Sequence, residues 1–152
     1  MSAIKARCLS NSIALIGGVA KTVLQIVAPA NQRVKVTRLG ISFDGGTSTS
    51  VPAQVRVLRQ TTTGTFAGAT NAPVPLEPEL TETIQTNFQV NATVEPTAGA
   101  LLDNFAVPTF DGQYLDYPPY ANEIIIQGGG RLGFEVTAPA NVNVRVSAEI
   151  EE

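Results

Sequence analysis

Histidine and tryptophan are absent, cysteine occurs once, at Cys8, and charged residues make up only 15% of the 152-residue chain. Each absence removes a class of function. Without histidine there is no Ser-His-Asp or Cys-His arrangement, no imidazole base and no histidine-ligated metal. A single cysteine forms no intrachain disulfide and no thiolate metal set, so Cys8 reads as a small half-buried residue. Lysine and arginine together number 10 against 13 acids, and they are scattered. No basic cluster exists to neutralise a run of phosphates, so direct nucleic-acid binding is not expected. No stretch approaches the ~20 apolar residues that span a bilayer as a helix, and no membrane partner is expected. No segment of ten residues carries helical periodicity beyond a short turn at about 79–85.

The N-terminal residues allow two readings. Lys5 and Arg7 precede "IALIGGVAK", the outline of a secretory signal cut after Ala20. The apolar run is short and follows "SNS", so the plainer reading is a strand at 13–16 that turns at Gly17-Gly18. Residues 1–20 are then an arm or an extra strand on a single domain covering 1–152.

Sixteen valines and sixteen threonines make the chain rich in β-branched residues, which suit a pleated surface better than a helix. Strict alternation marks three strands. In "NFQVNATVE", Phe88, Val90, Ala92 and Val94 face one way. In "RLGFEVTA", Leu132, Phe134, Val136 and Ala138 point inward. In "VNVRVSAEIE", Val142, Val144, Val146, Ala148 and Ile150 point inward against Asn143, Arg145, Ser147 and Glu149. The last two, with "GGG" before them, read as a hairpin. Gly128–Gly130 is a turn rather than a phosphate loop, because Arg131 opens a strand where such a loop needs Lys-Ser/Thr on a helix.

Further strands fall at about 21–27, 34–43, 54–60, 113–117 and 122–127. In 34–43, Val34 and Val36 are out of phase with Leu39, Ile41 and Phe43, which predicts near Thr37-Arg38 a β-bulge or a bend where the strand passes between sheets. "EIIIQ" is apolar on both faces and is expected at the centre of a sheet. "VAPANQRVKV" and "TAPANVNVRV" predict two similar strand-to-strand corners. About eight antiparallel strands imply a two-sheet β-sandwich, jelly-roll-like.

Two long connections remain, at 61–86 and 96–113. Loops of this length bind something or fold back over the body. The first is stiffened by Pro73, Pro75 and Pro78. In "FDGQYLDYPPYANE" all three tyrosines, Tyr114, Tyr117 and Tyr120, surround Pro118-Pro119. Tyrosine couples a large apolar body to a polar tip and gathers at interfaces. The candidate partner interface is therefore Pro73, Pro75, Leu76 and Pro78 with Tyr114, Tyr117, Pro118, Pro119 and Tyr120. Carboxylates at Asp103, Asp111, Asp116 and Glu123, and at Glu77, Glu79 and Glu82, could pair for glycoside chemistry or, for the first three, hold calcium. No tryptophan platform accompanies them and the spacing fits no calcium loop. We expect no enzyme activity, catalytic residue, cofactor or metal.

The segment "PPYANEIIIQGGGRLGFEVTAPANVNVRVSAEIEE" resembles the closing strands of small head proteins of tailed bacteriophages, the decoration or cement proteins. The likeness covers roughly the last 35 residues. It implies a jelly-roll-like sandwich, often trimeric, that sits on the capsid surface of a virion made in the host cytoplasm. It binds between copies of the major capsid protein and stabilises the shell. No catalytic residues come with it. Self-association would also cover the open edges of a sandwich. The alternatives are a carbohydrate- or receptor-binding β-sandwich module with a groove of tyrosines and carboxamides, or a tail or fibre subunit.

Overall fold

The computed structural model describes residues 3–45, 51–77, 81–118 and 122–152. Among these, every regular element is a strand. The strands are β1 (Lys5–Leu9), β2 (Ile13–Leu15), β3 (Ala20–Val27), β4 (Val34–Phe43) and β5 (Ala53–Gln60). An excursion then carries β6 (Thr65–Phe66), β7 (Val74–Pro75), β8 (Asn87–Val90) and β9 (Ala92–Val94). The chain closes with β10 (Ala98–Val107), β11 (Gly112–Asp116), β12 (Ile124–Ile126), β13 (Arg131–Thr137) and β14 (Val142–Glu151). Fourteen segments replace the eight expected, because several expected strands are split and short ones are added.

Two open antiparallel sheets hold the molecule together. The first runs β11-β4-β14-β1-β7, with β12 also on β4 and β2 also on β14. The second runs β10-β5-β13-β3-β8. β6 and β9 form a separate ribbon. Val23, Leu24 and Phe134 from the second sheet share one buried cluster with Leu39, Val146 and Ile150 from the first. The arrangement is thus sandwich-like, with two sheets around one apolar core.

Alternation in β13 and β14 places the expected residues inside: Leu132, Phe134, Val136, Val144, Val146, Ala148 and Ile150 are all buried. The hairpin, however, does not form. β13 lies in the second sheet and β14 in the first, so the connection is a corner between layers. The matching corner at 28–33 also changes sheets, from β3 to β4. Ala28 and Ala138, the first alanines of the two Ala-Pro-Ala-Asn turns, are both buried. Because β3 and β13 pair antiparallel, with Val27 opposite Arg131, these corners sit at opposite ends of the sandwich.

The bulge expected near Thr37-Arg38 is present: Glu149 pairs with Arg38 and Ile150 with Val36, which leaves Thr37 over. Three expectations are corrected. "EIIIQ" is not central, since β12 pairs only with β4 and Ile124 and Ile125 are half-buried. "NFQVNATVE" is broken at Asn91, whose φ of 62° lies in the left-handed region that asparagine tolerates. β8 then joins β3 while β9 joins β6, and Val94 is exposed. Residues 96–113 are not a loop, because β10 fills most of that span as a ten-residue strand on β5. At the expected helical turn, residues 79 and 80 lie outside the described residues and 81–85 hold no helix.

Residues 1–20 contribute strands, both on β14: Leu9 opposite Ser147 and Ile13 opposite Val144. Cys8 is fully buried rather than half-buried. At the other end of the chain the Glu152 carboxylate pins the 81–86 segment. It accepts hydrogen bonds from the backbone N–H of Gln85 at 2.9 Å and Thr86 at 2.8 Å, and from Gln32. Glu152→Ala is expected to cost about 1.5–3 kcal/mol, the range for hydrogen bonds to a charged acceptor. Hydrogen exchange would show it first, at the Gln85 and Thr86 amides. Unchanged protection there would refute the pin.

Candidate functional site

The candidate interface residues fall into two separated patches. Val74–Pro75 forms β7 at one edge of the first sheet, where Ala6 faces Pro75 and Leu76 N–H donates to the Lys5 carbonyl. Pro75 and Leu76 are exposed, while Pro73 is buried. Tyr114 and Tyr117 lie at the opposite edge, on and just after β11. Four strand steps of about 4.8 Å put the two patches roughly 19 Å apart. Tyr114 is 71% exposed, and Pro118 is exposed. Tyr117 packs against the core and donates its hydroxyl to Asp103 at 2.9 Å. Burial, reinforced by the Asp103 contact, pushes its phenol well above the ordinary tyrosine value. Pro78, Pro119 and Tyr120 lie outside the described residues.

Between the patches, the outer face of the first sheet carries a groove of about 510 Å³. Strand register builds it in three rows. The first row is charged and alternates in sign across β1, β14, β4 and β11: Arg7, Glu149, Arg38, Asp116. Arg7 pairs with Glu149, Arg38 Nη1 lies 3.7 Å from Glu149, and Arg38 Nε donates to Asp116 at 2.6 Å. The Asp116 hydrogen bond, then the charges of Asp116 and Glu149, raise the Arg38 pKa. Opposite charges placed directly across strands stabilise a sheet and fix its register.

The second row is Leu9, Ser147, Gly40 and Tyr114. A β-carbon at Gly40 would lie 2.5 Å from both Ser147 Oγ and Tyr114 Cε1. The missing side chain therefore lets the tyrosine ring lean over the sheet, the cross-strand cover by which an aromatic compensates a strand glycine. Arg38 adds a cation–π contact, its Cζ 5.7 Å from the ring centroid. The result is a low floor between Leu9, 50% exposed, and the tyrosine ring.

The third row is Arg145, Ser42 and Gly112. Here the alternation of charge stops. Arg145 makes no ion pair among the described residues. The two acids near this end are held by main-chain amides: Asp44 accepts from Asn143 N at 3.1 Å and Asp111 from Gly112 N at 2.7 Å.

Sequence reasoning identified Tyr114, and it placed Arg145, Ser147 and Glu149 on a wet face. It did not identify Arg7, Leu9, Arg38 or Gly40 as part of a site. The carboxylates proposed for calcium are dispersed: Asp103 on Tyr117, Asp111 on Gly112 N and Asp116 on Arg38. Among the described residues, no group of three acids or thiols could hold a metal ion. No described helix is long and apolar enough to cross a membrane. No known protein family, curated protein or solved structure matches the chain.

Proposed function

We propose that this protein is a structural subunit of a virion, a jelly-roll decoration protein that associates with copies of itself on the outside of a capsid. The fold part of this reading is supported by strand order. With β1 and β2 taken as one strand and β11 and β12 as another, the sheets read β1/2-β14-β4-β11/12 and β10-β5-β13-β3. Eight strands interleaved in this way make two Greek keys, the jelly-roll plan found in viral capsid and lectin domains. β7 and β8 then extend one edge of each sheet.

The observation that carries the assembly reading is the edge of β10. It spans ten residues and, among the described residues, pairs on one side only, with β5. It holds no lysine, arginine or proline, its one charge, Asp103, is engaged by the Tyr117 hydroxyl, and Leu101 and Leu102, beside its two register shifts, are 48% and 41% exposed. Solitary sandwiches guard such edges with charge or proline, because a bare row of N–H and C=O groups recruits another strand. A subunit that adds a neighbour here covers that row. The partner class comes from the resemblance to phage head proteins, with a trimer as the favoured form and the major capsid protein beneath it. The uncharged polar composition, with threonine, asparagine, glutamine and serine outnumbering charges, suits a body exposed on a particle.

Native mass measurement is expected to give a trimer, and the protein is expected to sediment with preformed capsids. Leu101→Lys with Leu102→Lys should dissociate the oligomer and weaken capsid binding about tenfold or more, because two charges then face the pairing edge. A wild-type monomer that stays in the supernatant defeats the proposal.

A further inference from the structure

We infer that the groove over Gly40 is a binding site for a saccharide that carries a carboxylate, with Tyr114 as the platform for the sugar ring and Arg145 as the partner of the acid. Three observations lead there. The first is the tyrosine. At 71% exposure its ring remains largely open to solvent, yet Gly40 against its Cδ1–Cε1 edge and Arg38 over one face fix where the ring lies. An aromatic that is held yet uncovered is preorganised to take a flat ligand, and the C–H face of a pyranose is one.

The second is the distribution of charge. Arg7 and Arg38 are balanced by Glu149 and Asp116, so the first row offers no net attraction. Arg145, two rows away along β14, makes no ion pair among the described residues, the nearby Asp44 and Asp111 carboxylates being engaged by main-chain amides. Adjacent rows on one face are two residues apart, about 7 Å. Tyr114 and Arg145 are one such row and two strands apart, roughly 12 Å between Cα atoms, and the tyrosine ring leaning over Gly40 together with the reach of the arginine narrows that gap to the span of a single sugar ring with its carboxylate at the far end. A guanidinium recognises a carboxylate in a planar, two-pronged geometry.

The third is the floor. β14 and β4 are paired on both sides in this region, and β1 is paired with β14 throughout and with β7 at Ala6 and Arg7. Across the floor between Tyr114 and Arg145 the backbone groups are taken, so an extended peptide cannot be added there as a strand. Recognition must come from side chains alone. Ser42 and Ser147 supply hydroxyls beside Tyr114 and Arg145, the kind of sparse polar set that orients a ligand on an otherwise apolar surface. The site is independent of self-assembly through β10, which belongs to the other sheet.

The test is calorimetric titration with sialyllactose, oligogalacturonate and oligoguluronate, each beside its carboxyl-reduced counterpart. At least one acid is expected to bind with a Kd of about 1 mM or tighter, and its reduced form about tenfold more weakly. Tyr114→Ala and Arg145→Ala should each lower the affinity about tenfold or more, while Arg56→Ala, on the other sheet, leaves it unchanged. Circular dichroism of each variant checks that the fold is retained, as expected for exposed positions. The inference is overturned if none of the acids binds, if a reduced form binds as well as its acid, or if Arg145→Ala has no effect. Equal binding of polyglutamate overturns it too, in favour of an acidic peptide.

Discussion

Replacing Gly133 with valine is expected to destabilise the fold by about 3–5 kcal/mol, and with alanine by about 2–3. Gly133 sits in the middle of the second sheet, opposite Leu58 on one side and Gln25 on the other. The Gln60 carboxamide lies where a β-carbon at this position would go. That carboxamide is fixed from two directions: Gln25 Nε2 donates to it at 2.6 Å and it donates to Thr22 Oγ1 at 3.0 Å. Gln25 and Thr22 are fully buried and Gln60 is 5% exposed, so a displaced amide finds no water. Evicting it leaves two or three polar groups without partners, at about 1–3 kcal/mol each. The network has no slack, since Gln25 Oε1 already lacks a partner. Against a typical total of about 5–15 kcal/mol, the loss would be visible in any denaturant melt. Gly133→Ala combined with Gln60→Ala should cost less than the sum of the single changes, because the second substitution clears the space the first one needs. Strict additivity would show that the carboxamide is not what the glycine accommodates.

The same network explains why parts of the fold were legible in the sequence and others were not. Period-two patterning found β13 and β14 because one face is buried and the other wet, and the slip at Thr37 was visible because it puts Leu39, Ile41 and Phe43 out of phase with Val34 and Val36. It did not find β10. That strand shifts register between Ala98 and Leu101 and again between Leu101 and Asp103, so its alternation is broken, and most of its side chains face solvent. β1 escaped because its buried residues, Ala6 and Cys8, are too small to read as a hydrophobic row. Patterning also cannot say which sheet a strand enters, and so a corner between layers was read as a hairpin. Gly133 gives no signal in an alternating pattern, and only the structure shows that it makes room for a buried amide.

The groove was harder still. Arg7, Arg38 and Arg145 come from three distant parts of the chain and meet only through register, Arg7 and Arg38 each facing Glu149 from opposite sides. The sequence carried half of that signal, in the wet residues of β14. The other half needed the strand order, which depends on the two corners crossing between sheets. Tyr114 drew notice for its residue type, yet what makes it a platform is Gly40, 74 positions earlier. Tyr117, marked for the same reason, is instead anchored to Asp103 and serves packing.

Alkaline solution should unfold this protein earlier than its composition suggests, and Cys8 is the first cause. The thiol is fully buried among β1 and β14 residues, and desolvation pushes its pKa far above the ordinary 9.0. Below pH 9 the thiol is neutral in both states and the protein loses nothing. Above it the unfolded chain sheds the proton while the folded chain keeps it, so stability falls as pH rises, by about 1.4 kcal/mol per unit. Between pH 9 and 11 this amounts to about 2.5 kcal/mol. Tyr117, whose phenol is also raised from an ordinary 10.0, steepens the decline above pH 10. Its share is smaller because it is only half-buried. Denaturant melts from pH 8 to 11 check the sign and the size. Cys8→Ala should lower stability at pH 8, through the lost packing, yet flatten the slope above pH 9, so that the two proteins converge or cross by pH 11. Tyr117→Phe should flatten only the portion above pH 10. Parallel curves for wild type and Cys8→Ala across the whole range would mean that the buried thiol is not the group whose ionisation opens the sandwich.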